Sequence, residues 1–266
     1  MNIVTVISNN DQFPLFESAS LYNFSIYKIE AMKGSSSYHA KVEKMYNYVC
    51  NKDDDDVIIF ADAFDSFARK KSYELLQRFL LTKKKILFST EIEPGHVNKN
   101  VSDWYRKQYE GENAFVNTGL FMGRVTEIKK VLNLARFHKK LYQGSKLRTD
   151  QTAIGESLPL IYNKSFDFLD YDETIFYTAT YKRWSISRAI AEIKKKDPIF
   201  VHFPFTQAPR VNNTFRALFH YHKGIMQPEI NKTVCQNYEK MCQKNHTLHI
   251  CHRGAGHRPG LNKIIC

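Results

Sequence analysis

No glycine-rich phosphate loop follows the first apolar segment of this sequence, no apolar run reaches 18 residues, and Cys50 is the one cysteine before Cys235. Each absence excludes something. Without a G-x-G-x-x-G turn after Ile3–Ile7, the case for a dinucleotide cofactor falls away. Without a long apolar run there is no membrane-spanning helix. The opening Met-Asn-Ile-Val-Thr-Val-Ile-Ser reads as a strand, not as a charged region leading into a signal-peptide core. Cys235, Cys242, Cys251 and Cys266 are separated by 6, 8 and 14 residues, so the C-x₂-C knuckle of common zinc modules is missing as well. Acidic residues are the minority charge: 27 Asp and Glu against 39 Lys and Arg leave a net charge of +12. The basic residues are scattered rather than massed in one arm, which weakens a nucleic-acid reading. An anionic nucleotide sugar or an acidic surface suits the same field.

What is present points to one α/β domain with a small appendage. A hydrophobic content of 43% in 266 residues is enough for a substantial core. The expected order is a strand over 2–8, a short strand at Ser25–Ile29, a helix over Tyr38–Val49, a strand at 57–61, a helix at 70–81 and a strand at Lys85–Ser89. Alternation of this kind predicts a Rossmann-like, three-layer sheet, with Ile86-Leu87-Phe88 continuing its parallel set. Cys50 is expected to be an inert thiol on a buried helix face. From about Lys223 the composition changes. The last four cysteines lie among His246, His249, His252 and His257 with little apolar sequence, so disulfides, zinc or free thiols in a tail are the alternatives there. The domains are expected at 1–222 and 223–266.

The run Val57-Ile58-Ile59-Phe60-Ala61 passes directly into Asp62 and then Asp65. Chain leaving the end of a buried strand is where open α/β sheets place ligands, and two carboxylates there suit a hard cation. The plainer alternative is a turn that caps the following helix. Asp53 to Asp56, just upstream, reads as a solvated approach to the strand. Phe115-Val116-Asn117-Thr118-Gly119-Leu120-Phe121-Met122-Gly123 reads as an apolar strand pair broken at Gly119 and Gly123, where the backbone bends or something approaches it closely, and Asn117 can then aim its amide into a pocket; a plain bulged strand is the alternative. Asp150, opening a short helix, is a candidate that an N-cap role would also explain. His202, ending the Pro198–Phe203 strand, is a candidate that a satisfied core histidine would also explain.

Taken in order, these blocks resemble the glycosyltransferase domain of procollagen lysyl hydroxylases and related collagen glycosyltransferases. They are the D-x-x-D after a strand, Ile-Leu-Phe-Ser-Thr-Glu91, Asn-Thr-Gly-x-x-x-Gly, the Asp-Gln helix start, Leu169-Asp170-Tyr171 with Ile175-Phe176, and a strand ending in His202. The resemblance covers roughly residues 1–222. It implies a GT-A fold and a retaining transfer of glucose or galactose from a UDP-sugar to hydroxylysine or galactosyl-hydroxylysine of a collagen-like protein. It also implies a metal site of Asp62, Asp65 and His202 holding Mn²⁺ or Mg²⁺. Asn117 and Asp150 then fall on the sugar and acceptor side, the first residue of the family's aspartate pair being Thr149 here. Lys41, near the start of the helix after the second strand, matches the diphosphate lysine, and Thr5 and Glu91 join Lys41 and Asp62 as candidate donor contacts.

Departures from the family are plain. Phe203-Pro204-Phe205-Thr206 replaces the glycines and asparagine that follow the histidine, and the tryptophan the family carries after this block is absent from Glu91-Ile92-Glu93-Pro94-Gly95-His96. A GT-A-shaped scaffold without turnover and a nucleic-acid base glucosyltransferase remain as alternatives, and a homodimer is left open. N-x-S/T triplets begin at Asn23, Asn100, Asn163, Asn212, Asn231 and Asn245. They lean towards an ER, Golgi or extracellular location if a leader precedes this chain; the absence of a leader here leans towards the cytoplasm.

Overall fold

The computed structural model describes residues 2–7, 14–31, 37–95, 98–141, 149–162, 168–179 and 186–204. The Cys/His-rich segment and the boundary expected at 222 lie outside them, as do Phe205 and Thr206. Two compact units make up the chain. The first holds 1–178 and 198–202. The second holds Ala179–Asp197 and 203–266, and its described regular element is a helix, Ile186–Lys196.

The first unit runs β1 (Asn2–Ile7), α1 (Pro14–Leu21), β2 (Ser25–Glu30), α2 (Ser37–Cys50), β3 (Val57–Ala61), β4 (Ser66–Ala68), α3 (Ser72–Thr82), β5 (Ile86–Glu91), α4 (Lys99–Gln108), β6 (Phe115–Arg124), α5 (Val125–Leu141), α6 (Asp150–Ile161), β7 (Phe176–Thr178) and β8 (Phe200–His202). A five-stranded sheet has the order β2-β1-β3-β6-β5, and a small sheet has the order β4-β8-β7. β1 pairs in parallel with β2 and β3, while β6 is antiparallel to both β3 and β5. Ile86–Phe88 therefore does not extend the parallel pairing, because β6 is inserted between β3 and β5. An apolar run reports burial on both faces but not the direction of its partner. The expected strand pair at 115–123 is likewise one ten-residue strand.

Side-chain alternation builds a core on each face of the large sheet. Val4, Ile58, Phe60, Ile86, Phe88 and Phe121 face Val42, Met45 and Val49 of α2, Ile128 and Leu132 of α5 and Ile154 and Leu158 of α6. Ile3, Ile7, Ile59, Leu87, Leu120 and Met122 face Leu15 and Ala19 of α1, Leu75 and Phe79 of α3, and Phe176 and Phe200 of the small sheet. Helices on one side and helices plus a small sheet on the other give the expected three layers. Phe121 stacks between Phe60 and Phe88, with ring centroids 4.9 Å away on each side. Cys50 is exposed, contrary to expectation. Val42, Met45 and Val49 set the buried stripe of α2, and the next residue is carried about 100° round the helix to solvent. Trp104 packs edge-on against Tyr105 and parallel to Phe168. Among the described residues no helix is long and apolar enough to cross a membrane.

Two buried carboxylates stabilise this frame. Asp170 Oδ2 accepts from the Ile175 N–H at 2.8 Å and the Phe176 N–H at 2.7 Å, and the Asp170 N–H donates to Phe88 O at 3.0 Å. Asp170 thereby ties the entry of β7 to β5. Asp170→Ala strands buried backbone donors, and a loss of about 2–3 kcal/mol in a urea titration is expected. Glu127, in the first turn of α5, accepts from Lys130 Nζ and from the Tyr162 hydroxyl, each at 2.8 Å. Burial pushes its carboxyl up, but these two hydrogen bonds outweigh it and hold the group below the ordinary value. A depressed folded-state value stabilises above the unfolded carboxylate value and is lost as pH falls through the folded one. Glu127→Gln should cost about 1 kcal/mol at neutral pH, with the gap to wild type closing below about pH 4.

Candidate metal and sugar-donor site

The buried β3 strand stops at Ala61 because Asp62 and Asp65 turn the chain out of the sheet. The Asp62 N–H donates to Gly119 O at 2.8 Å, and Ser66 Oγ donates back to Asp62 O, closing the turn before β4 begins. Asp65 is thus not the cap of the following helix, from which β4 separates it. β8 lies between β4 and β7, with His202 opposite both Ser66 and Thr178. That register carries the imidazole to the D-x-x-D turn. His202 Nε2 lies 3.3 Å from Asp65 Oδ1, without hydrogen-bond alignment, and 4.0 Å from Asp62 Oδ2.

One donor atom from each of Asp62, Asp65 and His202 falls within 4.8 Å of the others. The His202 side chain is 3% exposed, and both its ring nitrogens and Asp65 Oδ1 are buried without a hydrogen-bond partner among the described residues. A core histidine serving only packing would have found a partner. Two carboxylates and one imidazole, with buried lone pairs left over, suit a hard or borderline cation such as Mn²⁺ or Mg²⁺. Burial pushes the His202 imidazole down, but Asp65 and then Asp62 outweigh it, and the net direction is up.

Beside this cluster Lys41 joins two elements far apart in sequence. Its Nζ is 2.6 Å from Asp62 Oδ1 and 2.7 Å from Asp150 Oδ2, and its side chain is 12% exposed. Burial would lower the ammonium, but Asp150 and Asp62 hold it well above the usual lysine value. For Asp62 burial raises the carboxyl and Lys41 offsets part of that. With 34% of the Asp62 side chain exposed, solvent screening keeps the net rise smaller than full burial would give. Asp150 is not the cap of α6. Thr149 is, its hydroxyl accepting from the Thr152 N–H, while Asp150 occupies the first turn, where a carboxylate is favoured by the helix dipole. Asp150 Oδ2 also accepts from Thr118 Oγ1 at 3.1 Å.

The remaining candidates form a second group. Glu91 Oε2 accepts from Asn117 Nδ2 at 2.7 Å and Glu91 Oε1 from Gln151 Nε2 at 2.8 Å. Burial pushes the Glu91 carboxyl up against these bonds. Thr5 sits within β1, its buried hydroxyl without a hydrogen-bond partner among the described residues. Thr118 and Gln151 take part where the sequence had singled out only their neighbours. Their signal was a polar residue inside an apolar strand and an amide beside the helix-opening aspartate.

Residues 22–142 match the family model of the PLOD GT domain. This segment is similar to PLOD-type glycosyltransferase sequence. It spans under half of the chain and contains Lys41, Asp62, Asp65, Glu91 and Asn117. Asp150 and His202 lie beyond the PLOD-type segment, and the fold returns them to it. No curated protein matches the chain. Among solved structures, a glycosyltransferase involved in the glycosylation of the major capsid of PBCV-1 is 12% identical with a TM-score of 0.49, covering 81% of this chain and 98% of that one. The apo structure of the bifunctional glycosyltransferase WbbM is 11% identical with a TM-score of 0.49, covering 87% of this chain. This chain spans 51% of WbbM.

Proposed function

We propose that the protein transfers a hexose, glucose or galactose, from a UDP-sugar to an acceptor hydroxyl in a metal-dependent reaction. Hydroxylysine or galactosyl-hydroxylysine of a collagen-like protein is the acceptor class. The observation that carries this reading is the convergence of Asp62, Asp65 and His202, with buried ligand atoms that have no hydrogen-bond partner among the described residues, on a segment similar to PLOD-type glycosyltransferases.

In this reading Asp62, Asp65 and His202 hold Mn²⁺ or Mg²⁺. A bound divalent cation stabilises the negative charge that grows on a departing diphosphate. Lys41 adds a second positive charge on the same side. Its ammonium has three donors, so exchanging one carboxylate for a diphosphate oxygen leaves it paired. Asp150 faces the sugar, its Oδ2 held by Lys41 Nζ and Thr118 Oγ1, and its carboxylate opposes the positive charge developing at the anomeric carbon.

The test is UDP release from UDP-glucose and UDP-galactose, with and without Mn²⁺ and with and without a hydroxylysine-containing collagen-like peptide. Release that needs Mn²⁺ and rises with peptide supports the proposal and names the donor. Folded protein that releases no UDP from either donor refutes it.

A further inference from the structure

We infer that Asn117 is a positioning residue, holding the Gly119 backbone on which both His202 and Asp62 are set, instead of presenting its amide to the sugar. The inference rests on the metal-site reading above and starts from a fault in the sheet. On β5, Phe88 pairs with Phe121 and the next residue, Ser89, pairs with Asn117, so residues 118–120 of β6 have no counterpart there. A bulge of this kind strands backbone donors and re-aims the neighbouring residues of its strand. Here the Gly119 N–H is taken by Asn117 Oδ1 at 2.9 Å, a side chain standing in for the missing strand partner. The other end of the amide is fixed as well: Nδ2 donates to Glu91, and Ser89 Oγ lies 3.0 Å from Asn117 O and 3.3 Å from its Oδ1. Asn117 is 1% exposed. With both ends engaged, its orientation is determined and the expected free amide is gone.

Gly119 passes this placement to the metal cluster in two ways. Its carbonyl accepts from the Asp62 N–H, which extends the β3–β6 pairing one residue past Ala61 and holds the first aspartate. Its missing side chain makes room for the imidazole: a Cβ on Gly119 would lie 2.1 Å from His202 Cε1 and 2.5 Å from Nε2. A shift of the bulge by a few tenths of an ångström therefore moves a carboxylate and an imidazole together.

The experiment measures Mn²⁺ affinity without any nucleotide sugar, the His202 ring ¹H–¹⁵N signals, and hydrogen exchange at the Gly119 amide, alongside kcat and KM. Asn117→Ala should weaken Mn²⁺ binding about 10- to 100-fold, move the His202 signals and strip protection from Gly119. Asn117→Asp keeps an acceptor for the Gly119 N–H and shares a proton with Glu91, so it should recover the Gly119 protection and the His202 signals. Where Asn117→Ala does not fold, Glu91→Gln turns one amide donor against another and should shift the same signals in the same direction by a smaller amount. Wild-type Mn²⁺ affinity and unmoved His202 signals with a lowered kcat would overturn the inference and make Asn117 a substrate contact. Wild-type protein that binds no Mn²⁺ would refute the function proposal. The His202 and Gly119 signals would still decide the role of Asn117.

Discussion

Asp65→Ala is expected to lower metal-dependent UDP release by about 10²- to 10³-fold, the usual loss when one charge-stabilising group is removed from a preorganised site. The size of the effect follows from where the carboxylate sits. Asp65 Oδ1 is buried without a hydrogen-bond partner among the described residues, His202 Nε2 lies 3.3 Å from it, and its side chain is 13% exposed. A buried carboxylate in that position adds nothing to packing that alanine would forfeit, and it repels Asp62 across the turn. Stability should therefore hold or rise while Mn²⁺ binding, followed by the manganese electron-spin signal, is lost. That split separates a ligand from a residue supporting the fold. Full activity in the variant would remove Asp65 from the site, and a fall in activity matched by a fall in melting temperature would assign it to structure.

Gly119→Ala should do comparable damage from a residue that binds nothing. The glycine is not needed for an unusual backbone angle; it is needed for space. The added methyl would stand 2.1 to 2.7 Å from three ring atoms of His202. The ring has little room to yield, being 3% exposed on a strand paired on both sides, at Ser66 and at Thr178. Overpacking of this order costs about 1–3 kcal/mol, and displacement of a ligating imidazole costs about 10- to 100-fold in metal affinity. Thermal unfolding and a Mn²⁺ titration measure the two losses separately. Unchanged affinity would mean that the imidazole of His202 takes no part in holding the ion. By contrast Gly123, whose Cβ would press on the backbone of Ile86 and Lys85 at 2.9 Å, should lose stability on substitution and leave metal affinity alone.

Much of the frame was legible before any coordinates. Val57 to Ala61 is a strand, Val42, Met45 and Val49 are one helix face, and the expected second strand and the helix at 70–81 are present within two or so residues at their ends. These succeed because burial writes a period of 2 or 3.6 into neighbouring residues. The three-residue strand β4, the helices α1, α4 and α5 and the helix Ile186–Lys196 were not foreseen. β4 is too short to show a period, and α1 and α4 carry one buried stripe interrupted by polar residues. The reading of 115–123 as a strand pair missed that β6 runs on unbroken, but the close approach expected at its two glycines is met: one makes room for an imidazole and the other for the backbone beside it.

The sequence by itself determined the apolar pattern of the two-faced core, the placing of Asp62 and Asp65 at the exit of a buried strand, and the likeness to PLOD-type glycosyltransferase sequence. Each of these is carried by residues near one another along the chain. Only the tertiary structure decided that β6 lies between β3 and β5, that Lys41 bridges Asp62 and Asp150, that Asn117 is spent on Gly119 and Glu91, and that His202 meets Asp65. Those contacts depend on strand register and on one bulge, and register is set by partners that pack from distant parts of the chain, leaving no local period to read.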